Sequence, residues 1–278
     1  KGNYEKALEY YEKSLKINEE IGDKKAVRIS YNNIGLIYLQ QDNYEKALEY
    51  YEKGLKINEE MGDKKAVGIS YNEIGIIYKE QGKYEKALEC QLNSLKIREE
   101  IADKSGMGAS YGNIGNIYDK QGNYEKALEH YEKSLKIFKE IGDKKAMGAF
   151  YNNIGNIYTS QGNYVKALEY YEKSLKIFKE MGDKKAMGSP YGNIGNIYDE
   201  QGNYEKALEY TLKSLKIREE IGDKSGMGIS YNDIGIIYKK QSNYEKALKY
   251  LLKAKKIWEE IGDKSGMGIS YNNIGVIY

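Results

Sequence analysis

Several things are scarce in this 278-residue chain: it has one Cys, one His, one Pro, one Trp and three Phe. A single thiol, Cys90, rules out an internal disulfide and any multi-Cys metal site. One thiol also fits a reducing compartment, so the expected location is cytoplasmic. The lone His130 has no partner for a metal or for a nucleophile triad, so no metal site, catalytic residue or cofactor is expected. Charge of one sign is lacking too: 44 Lys and Arg against 42 Asp and Glu leave a net +2, interleaved along the chain. That balance gives no footprint for nucleic acid or an anionic membrane. No apolar run approaches the roughly 18 residues of a membrane span, and no signal peptide opens the sequence. The first residue is Lys and not Met, which reads as a segment of a longer array.

What is abundant is Tyr, 30 of them. Such skew suggests one short unit copied many times, and repeats decide the fold before anything else. Cut after every fortieth residue, the sequence aligns without an insertion. Gln41-Asp42-Asn43-Tyr44-Glu45-Lys46-Ala47 returns as Gln121-Gly122-Asn123-Tyr124-Glu125-Lys126-Ala127, and again from Gln201. The expected organisation is a single array of seven rows: 1–40, 41–80, 81–120, 121–160, 161–200, 201–240 and 241–278.

Each row predicts two helices. The first runs from about Tyr44 to Met61, with Tyr44, Ala47, Leu48, Tyr51 and Leu55 spaced by three and four. A second stripe, Tyr50, Ile57 and Met61, gives it two buried flanks. Gly62 breaks it and Asp63 caps the next helix, which runs from about Lys64 to Glu80. That helix ends at a Gln-Gly-Asn type of turn. It also carries Gly68 and Gly75 on nearly one face, each costing roughly 1 kcal/mol against Ala. Close approach of a neighbouring helix is the physical reading. Neither helix is stable alone, so stability is collective and passes from row to row. Pro190 falls inside a predicted helix and removes a backbone donor, so a kink or a late helix start is expected there.

Tyr31, Ile34, Gly35, Tyr38, Ala47 and Tyr51 stand at the offsets of the tetratricopeptide pattern, with Tyr for Trp and Ile for Leu. The sequence therefore resembles the tetratricopeptide-repeat family over essentially its whole length. The period of 40 in place of 34, and the missing Pro at the end of the second helix, make it similar to the longer repeats of Pins-type adaptors and, less closely, of kinesin light chains. The resemblance implies an all-α fold, a right-handed superhelical solenoid of antiparallel helix pairs. It places a concave groove along the Tyr-Asn-Asn-Ile-Gly helix of each row. In related arrays, including O-GlcNAc transferase, asparagines of this helix hold an extended peptide by its main chain. The matching residues are Asn33, Asn113, Asn153, Asn193 and Asn273, with Glu73 and Asp233 replacing Asn in two rows.

One turn further along the same helix the rows read Leu36, Ile76, Asn116, Asn156, Asn196, Ile236 and Val276. An amide offers donor and acceptor together, so Asn113, Asn116, Asn153, Asn156, Asn193 and Asn196 are expected to form a central polar ladder. The plainer alternative is a row of solvated residues. The tyrosines read as core packing, and His130 as a packing residue at a position usually held by Tyr. Lys104 to Gly106 lacks the strand-loop-helix setting of a phosphate loop, and pairs such as Asp143-Lys144 read as caps. The expected function is an interaction scaffold binding a peptide or partner domain, with no enzymatic activity. Two alternatives stay open. One is end-to-end self-association into a filament, because the helices at Tyr4 and Tyr271 have no outer neighbour in the sequence. The other is a regulatory array fused to an effector outside this segment.

Overall fold

The computed structural model describes residues 3–278; residues 1 and 2, which open the first row, lie outside the described residues. Every regular element described is a helix. The first compact unit, ending at Gly142, holds α1 (Tyr4–Glu20), α2 (Lys24–Gln40), α3 (Tyr44–Glu60), α4 (Lys64–Glu80), α5 (Tyr84–Glu100), α6 (Lys104–Lys120) and α7 (Tyr124–Ile141). The second, from Asp143 to Tyr278, holds α8 (Lys144–Ser160), α9 (Tyr164–Met181), α10 (Lys184–Glu200), α11 (Tyr204–Glu220), α12 (Lys224–Lys240), α13 (Tyr244–Ile261) and α14 (Lys264–Gly275). In each unit every helix packs against the next in sequence, the arrangement of a helix-pair solenoid. No helix among the described residues is long and apolar enough to cross a membrane.

The helix limits follow from local chemistry. Asn123 Oδ1 accepts the Lys126 N–H at 3.2 Å, and Asp103 Oδ1 accepts the Gly106 N–H at 3.0 Å. Caps of this kind contribute about 1 kcal/mol each. At the far ends the chain turns through a left-handed residue, as at Gly122 with φ +73°. Asp42, Ala102 and Ser242 take that conformation without being Gly, at a cost of about 1–2 kcal/mol each. Packing in the stack outweighs that cost.

The core alternates between helix types. In the first unit Ala47, Leu48 and Tyr51 of α3 meet Ile74 and Ile77 of α4. In the second, Ala167, Tyr171 and Leu175 of α9 meet Ile194 and Ile197 of α10, and Leu215 of α11 joins Tyr231, Ile234, Ala254 and Trp258 further along. Each fully buried Ile contributes roughly 1.5–3 kcal/mol. Helix approach is closest at the glycines: a Cβ on Gly155 would stand 2.5 Å from the Tyr171 ring.

The expectation of a late helix start at Pro190 is corrected. Helix α10 begins at Lys184, at the same point of its row as α2, α4, α6, α8 and α12, and runs unbroken through Pro190 to Glu200. Pro190 is buried, and α10 is packed by α9 on one side and α11 on the other. Those contacts hold the helix in place of the one missing backbone bond.

Candidate functional site

The second-type helices have two faces. In α8 the buried side is Ile154, Gly155 and Ile157, which meets the core. Asn153 and Asn156, three residues apart and so neighbours on the helix surface, are half-buried and exposed respectively. The same division recurs in α10, where Asn193 is half-buried and Asn196 exposed, and in α6, where Asn113 and Asn116 are both half-buried. Asn33 on α2 and Asn273 on α14 are half-buried as well.

These amides bond to one another across rows. Asn113 Nδ2 donates to Asn72 Oδ1 at 2.7 Å in the first unit. In the second, Asn193 Nδ2 donates to Asn152 Oδ1 at 3.2 Å and to Asn156 Oδ1 at 2.9 Å, and Asn273 Nδ2 donates to Asn232 Oδ1 at 2.8 Å. The core tyrosines reach the same face from behind: Tyr131 Oη donates to Asn116 Oδ1 at 2.7 Å and Tyr171 Oη to Asn156 Oδ1 at 2.8 Å. Asn156, Thr159, Tyr171, Asn193 and Asn196 surround a recess of about 220 Å³. Asn153 lines a separate recess of about 210 Å³ with Asn152, Phe178 and Pro190.

Three partners were not singled out from sequence: Asn72, Asn152 and Asn232. The signal was present, because each is the Asn beside the position already chosen. Only stacking two rows shows that residues 41 apart meet.

The two acidic replacements have a local cause. Arg98, on α5, is buried; its Nη1 donates to the Gly106 carbonyl at 2.5 Å and to Ser110 Oγ at 3.2 Å. Arg218, on α11, repeats this with Gly226 at 2.7 Å and Ser230 at 3.0 Å. Burial lowers both guanidinium pKa values; Asp103 and then Glu73 oppose this at Arg98, and Asp223 and then Asp233 at Arg218. Each arginine thus feels its helix cap, Asp103 or Asp223, first and Glu73 or Asp233 second, and the other rows lack the arginine. Burial raises the Glu73 carboxyl against the pull of Arg98. It pushes Asp233 up to about 6, with the Asn232 hydrogen bond and Arg218 pulling the other way and Asp199 adding to the rise.

Chemically the face is an amide surface with two carboxyl groups whose pKa burial raises. It holds no nucleophile beside a base, and among the described residues no group of three or more His, Cys, Asp or Glu could hold a metal ion. Each Asn in the network keeps unused donor or acceptor capacity, which is the requirement for pairing with a peptide main chain. Around it lie apolar side chains: Ile29 and Ile69 in the first unit, Ile229 and Ile269 in the second, all exposed.

The family pattern described as tetratricopeptide repeat matches residues 1–60, 67–140, 147–220 and 226–278. None of the curated proteins matches the sequence. Among solved structures, the chain is similar to a signal transduction ATPase with numerous domains and a tetratricopeptide repeat sensor, from Pyrococcus horikoshii, at 23% identity and TM-score 0.75. That match covers 95% of this chain but 40% of the other. Aspartyl phosphate phosphatase F from Bacillus subtilis is similar at 16% identity and TM-score 0.71, over 95% of this chain and 73% of that one. A Rap protein solved in complex with competence and sporulation factor is similar at 16% identity and TM-score 0.65, over 98% and 84%. At these identities the likeness is one of fold.

Proposed function

The chain belongs to the tetratricopeptide-repeat family, and from that premise we propose that it is an interaction scaffold whose asparagine face binds an extended peptide segment of a partner protein. The observation that carries the reading is the cross-row amide network of Asn152, Asn156 and Asn193 beside the recess shared with Asn196. A main chain in extended form repeats its donors and acceptors, and amides supply both in return. The network holds its members in place, so little side-chain freedom is lost on binding. Asn113 with Asn116 offers a similar pair in the first unit, while Asn33, Asn153 and Asn273 extend the face within their own units. Exposed Ile229 and Ile269 supply the apolar contacts that choose side chains.

The test is selection of peptides from a random displayed library on the wild-type chain. Binding is then measured on Asn193→Ala/Asn196→Ala. Two lost main-chain contacts predict at least about tenfold weaker binding, roughly 1.4 kcal/mol. Selected peptides that bind the variant equally well would refute the reading.

A second reading rests on the Pyrococcus structure, whose repeat region is a sensor and of which this chain spans 40%. The same face would then sense a ligand on behalf of an effector in a longer chain.

A further inference from the structure

On the opposite side of the second-type helices from the asparagines, each first-type helix but one carries a ring at its seventh residue: Tyr10, Tyr50, His130, Tyr170, Tyr210 and Tyr250. From the second row onward that ring rests on two tyrosines of the preceding helix. Tyr50 lies 6.0 and 5.7 Å from Tyr31 and Tyr38, His130 lies 6.2 and 5.3 Å from Tyr111 and Tyr118, and Tyr210 lies 6.1 and 5.6 Å from Tyr191 and Tyr198. Three residues on stands a lysine. The Nζ of Lys53, Lys173 and Lys213 is 4.8, 4.5 and 4.7 Å from the ring centroid of Tyr50, Tyr170 and Tyr210. The same three lysines bond Glu49, Glu169 and Glu209 at 2.6, 2.6 and 2.5 Å.

Helix α5 lacks both groups. Cys90 stands in place of the ring and Asn93 in place of the lysine. Tyr71 and Tyr78 are left without a third ring, and Glu89 without the lysine that its counterparts bond. A cavity of about 300 Å³ opens there, reaching from Glu52, Leu55 and Tyr71 to Tyr78, Glu89 and Cys90. Its counterpart beside Tyr210, about 430 Å³, lies over Tyr191, stops short of Tyr198 and sets Lys176, Lys179 and Lys213 against Glu172 and Glu180. The cavity at Cys90 has one lysine, Lys86, whose Nζ is 5.4 Å from the Tyr78 centroid, against the two carboxylates of Glu52 and Glu89. The other rows thus define what this one is missing: an aromatic ring with an ammonium group beside it.

We propose that the cavity between Tyr71, Tyr78 and Cys90 is a binding site for a small aromatic amine, its ring completing the stack on the two tyrosines and its ammonium paired with Glu89. Aromatic walls and carboxylates at the rim both favour a cation bearing a ring. This site does not depend on the asparagine face being a peptide groove.

The test uses 2-phenylethylamine at neutral pH with the whole chain, followed by calorimetry. The wild type is expected to bind with a Kd of about 1 mM or tighter. Cys90→Tyr/Asn93→Lys copies the neighbouring rows into α5, so it closes the part of the cavity beside Tyr78, as Tyr210 does beside Tyr198, and supplies the cation internally. It should weaken binding at least about tenfold while melting no lower than the wild type, which separates a filled site from an unfolded one. Asn93→Lys alone should weaken the amine and leave the neutral probe p-cresol unchanged. The proposal is overturned by an absence of saturable binding up to about 10 mM, or by undiminished binding to the double variant. Binding of p-cresol to the wild type as tight as that of the amine overturns the pairing with Glu89.

Discussion

Tyr171 Oη donates to Asn156 Oδ1 at 2.8 Å, so a buried core ring fixes an exposed side chain on the asparagine face. Thr159 Oγ1 lies 3.0 Å from the same hydroxyl. Tyr171→Phe keeps the ring and removes the hydroxyl. Unfolding free energy should fall by about 1 kcal/mol, and the Asn156 amide should lose its single orientation. Denaturant unfolding and the side-chain amide resonances of Asn156 measure the two effects separately.

Gly155 and Gly268 make a matched pair. A Cβ on Gly155 would stand 2.5 Å from the Tyr171 ring, whereas one on Gly268 meets nothing within 4 Å. Gly155→Ala should destabilise the second unit by about 1–3 kcal/mol through overpacking. Gly268→Ala, in the helix α14, should stabilise it by about 0.5–1 kcal/mol. Opposite shifts in urea midpoint for the same chemical change are the expected result.

Arg98 and Gly106 are coupled by size. A Cβ on Gly106 would stand 2.6 Å from Arg98 Cδ. The same pairing of a large residue with Gly occurs at Arg218 with Gly226 and at Trp258 with Gly266, while Phe138 faces Ala146. Gly106→Ala alone should cost about 1–3 kcal/mol. Arg98→Phe in the same chain should recover part of that, giving a coupling of at least about 0.5 kcal/mol in a double-mutant cycle. Strict additivity would contradict the size rule.

Asp233 carries a pH signature. Its folded value of about 6 lies above the roughly 3.9 of an unfolded Asp. Between those values the folded state binds more protons than the unfolded one, so stability falls as pH rises through the window. The stabilisation is complete below about pH 4 and lost above about pH 6, by about 2–3 kcal/mol in all. Asp233→Asn abolishes this slope. Amide exchange in α12, compared between wild type and variant at pH 4.5 and at pH 7, should show the gap closing at the acid end.

The fold was legible because its signals repeat. Apolar spacing points to the same helices in every row, and so do caps at Asn43, Asp63 and their counterparts except at Lys83, which makes no side-chain cap bond. Pro190 misled only as to where α10 begins: the helix starts at Lys184 as its counterparts do, packed by α9 of its own row and by α11 of the next. On the asparagine face the register could be read from the sequence, but the bonds could not: Asn193 meets Asn152 only when two rows stack. Glu73 and Asp233 looked like gaps in the ladder until Arg98 and Arg218 were seen beside them. The arginines stand 25 residues later in one case and 15 earlier in the other, on neighbouring helices whose packing a single helix's periodicity does not report.

One ion-pair series runs at a constant step. Lys24 meets Glu60 at 2.8 Å and Lys64 meets Glu100 at 2.9 Å in the first unit, and Lys184 meets Glu220 at 2.9 Å in the second. Exposed as they are, such pairs contribute little to stability, about 0–1 kcal/mol each. Their importance is that the step is 36 throughout this series, whereas the amides bridge rows at 41 and, for Asn193 with Asn156, at 37. Deleting residues 161–200 would bring Lys144 to Glu220 at the same step, whereas Asn152 would then face Asp233 in place of Asn193. The ion-pair register is therefore indifferent to how many rows the array contains: gaining or losing a whole row leaves each lysine facing a glutamate.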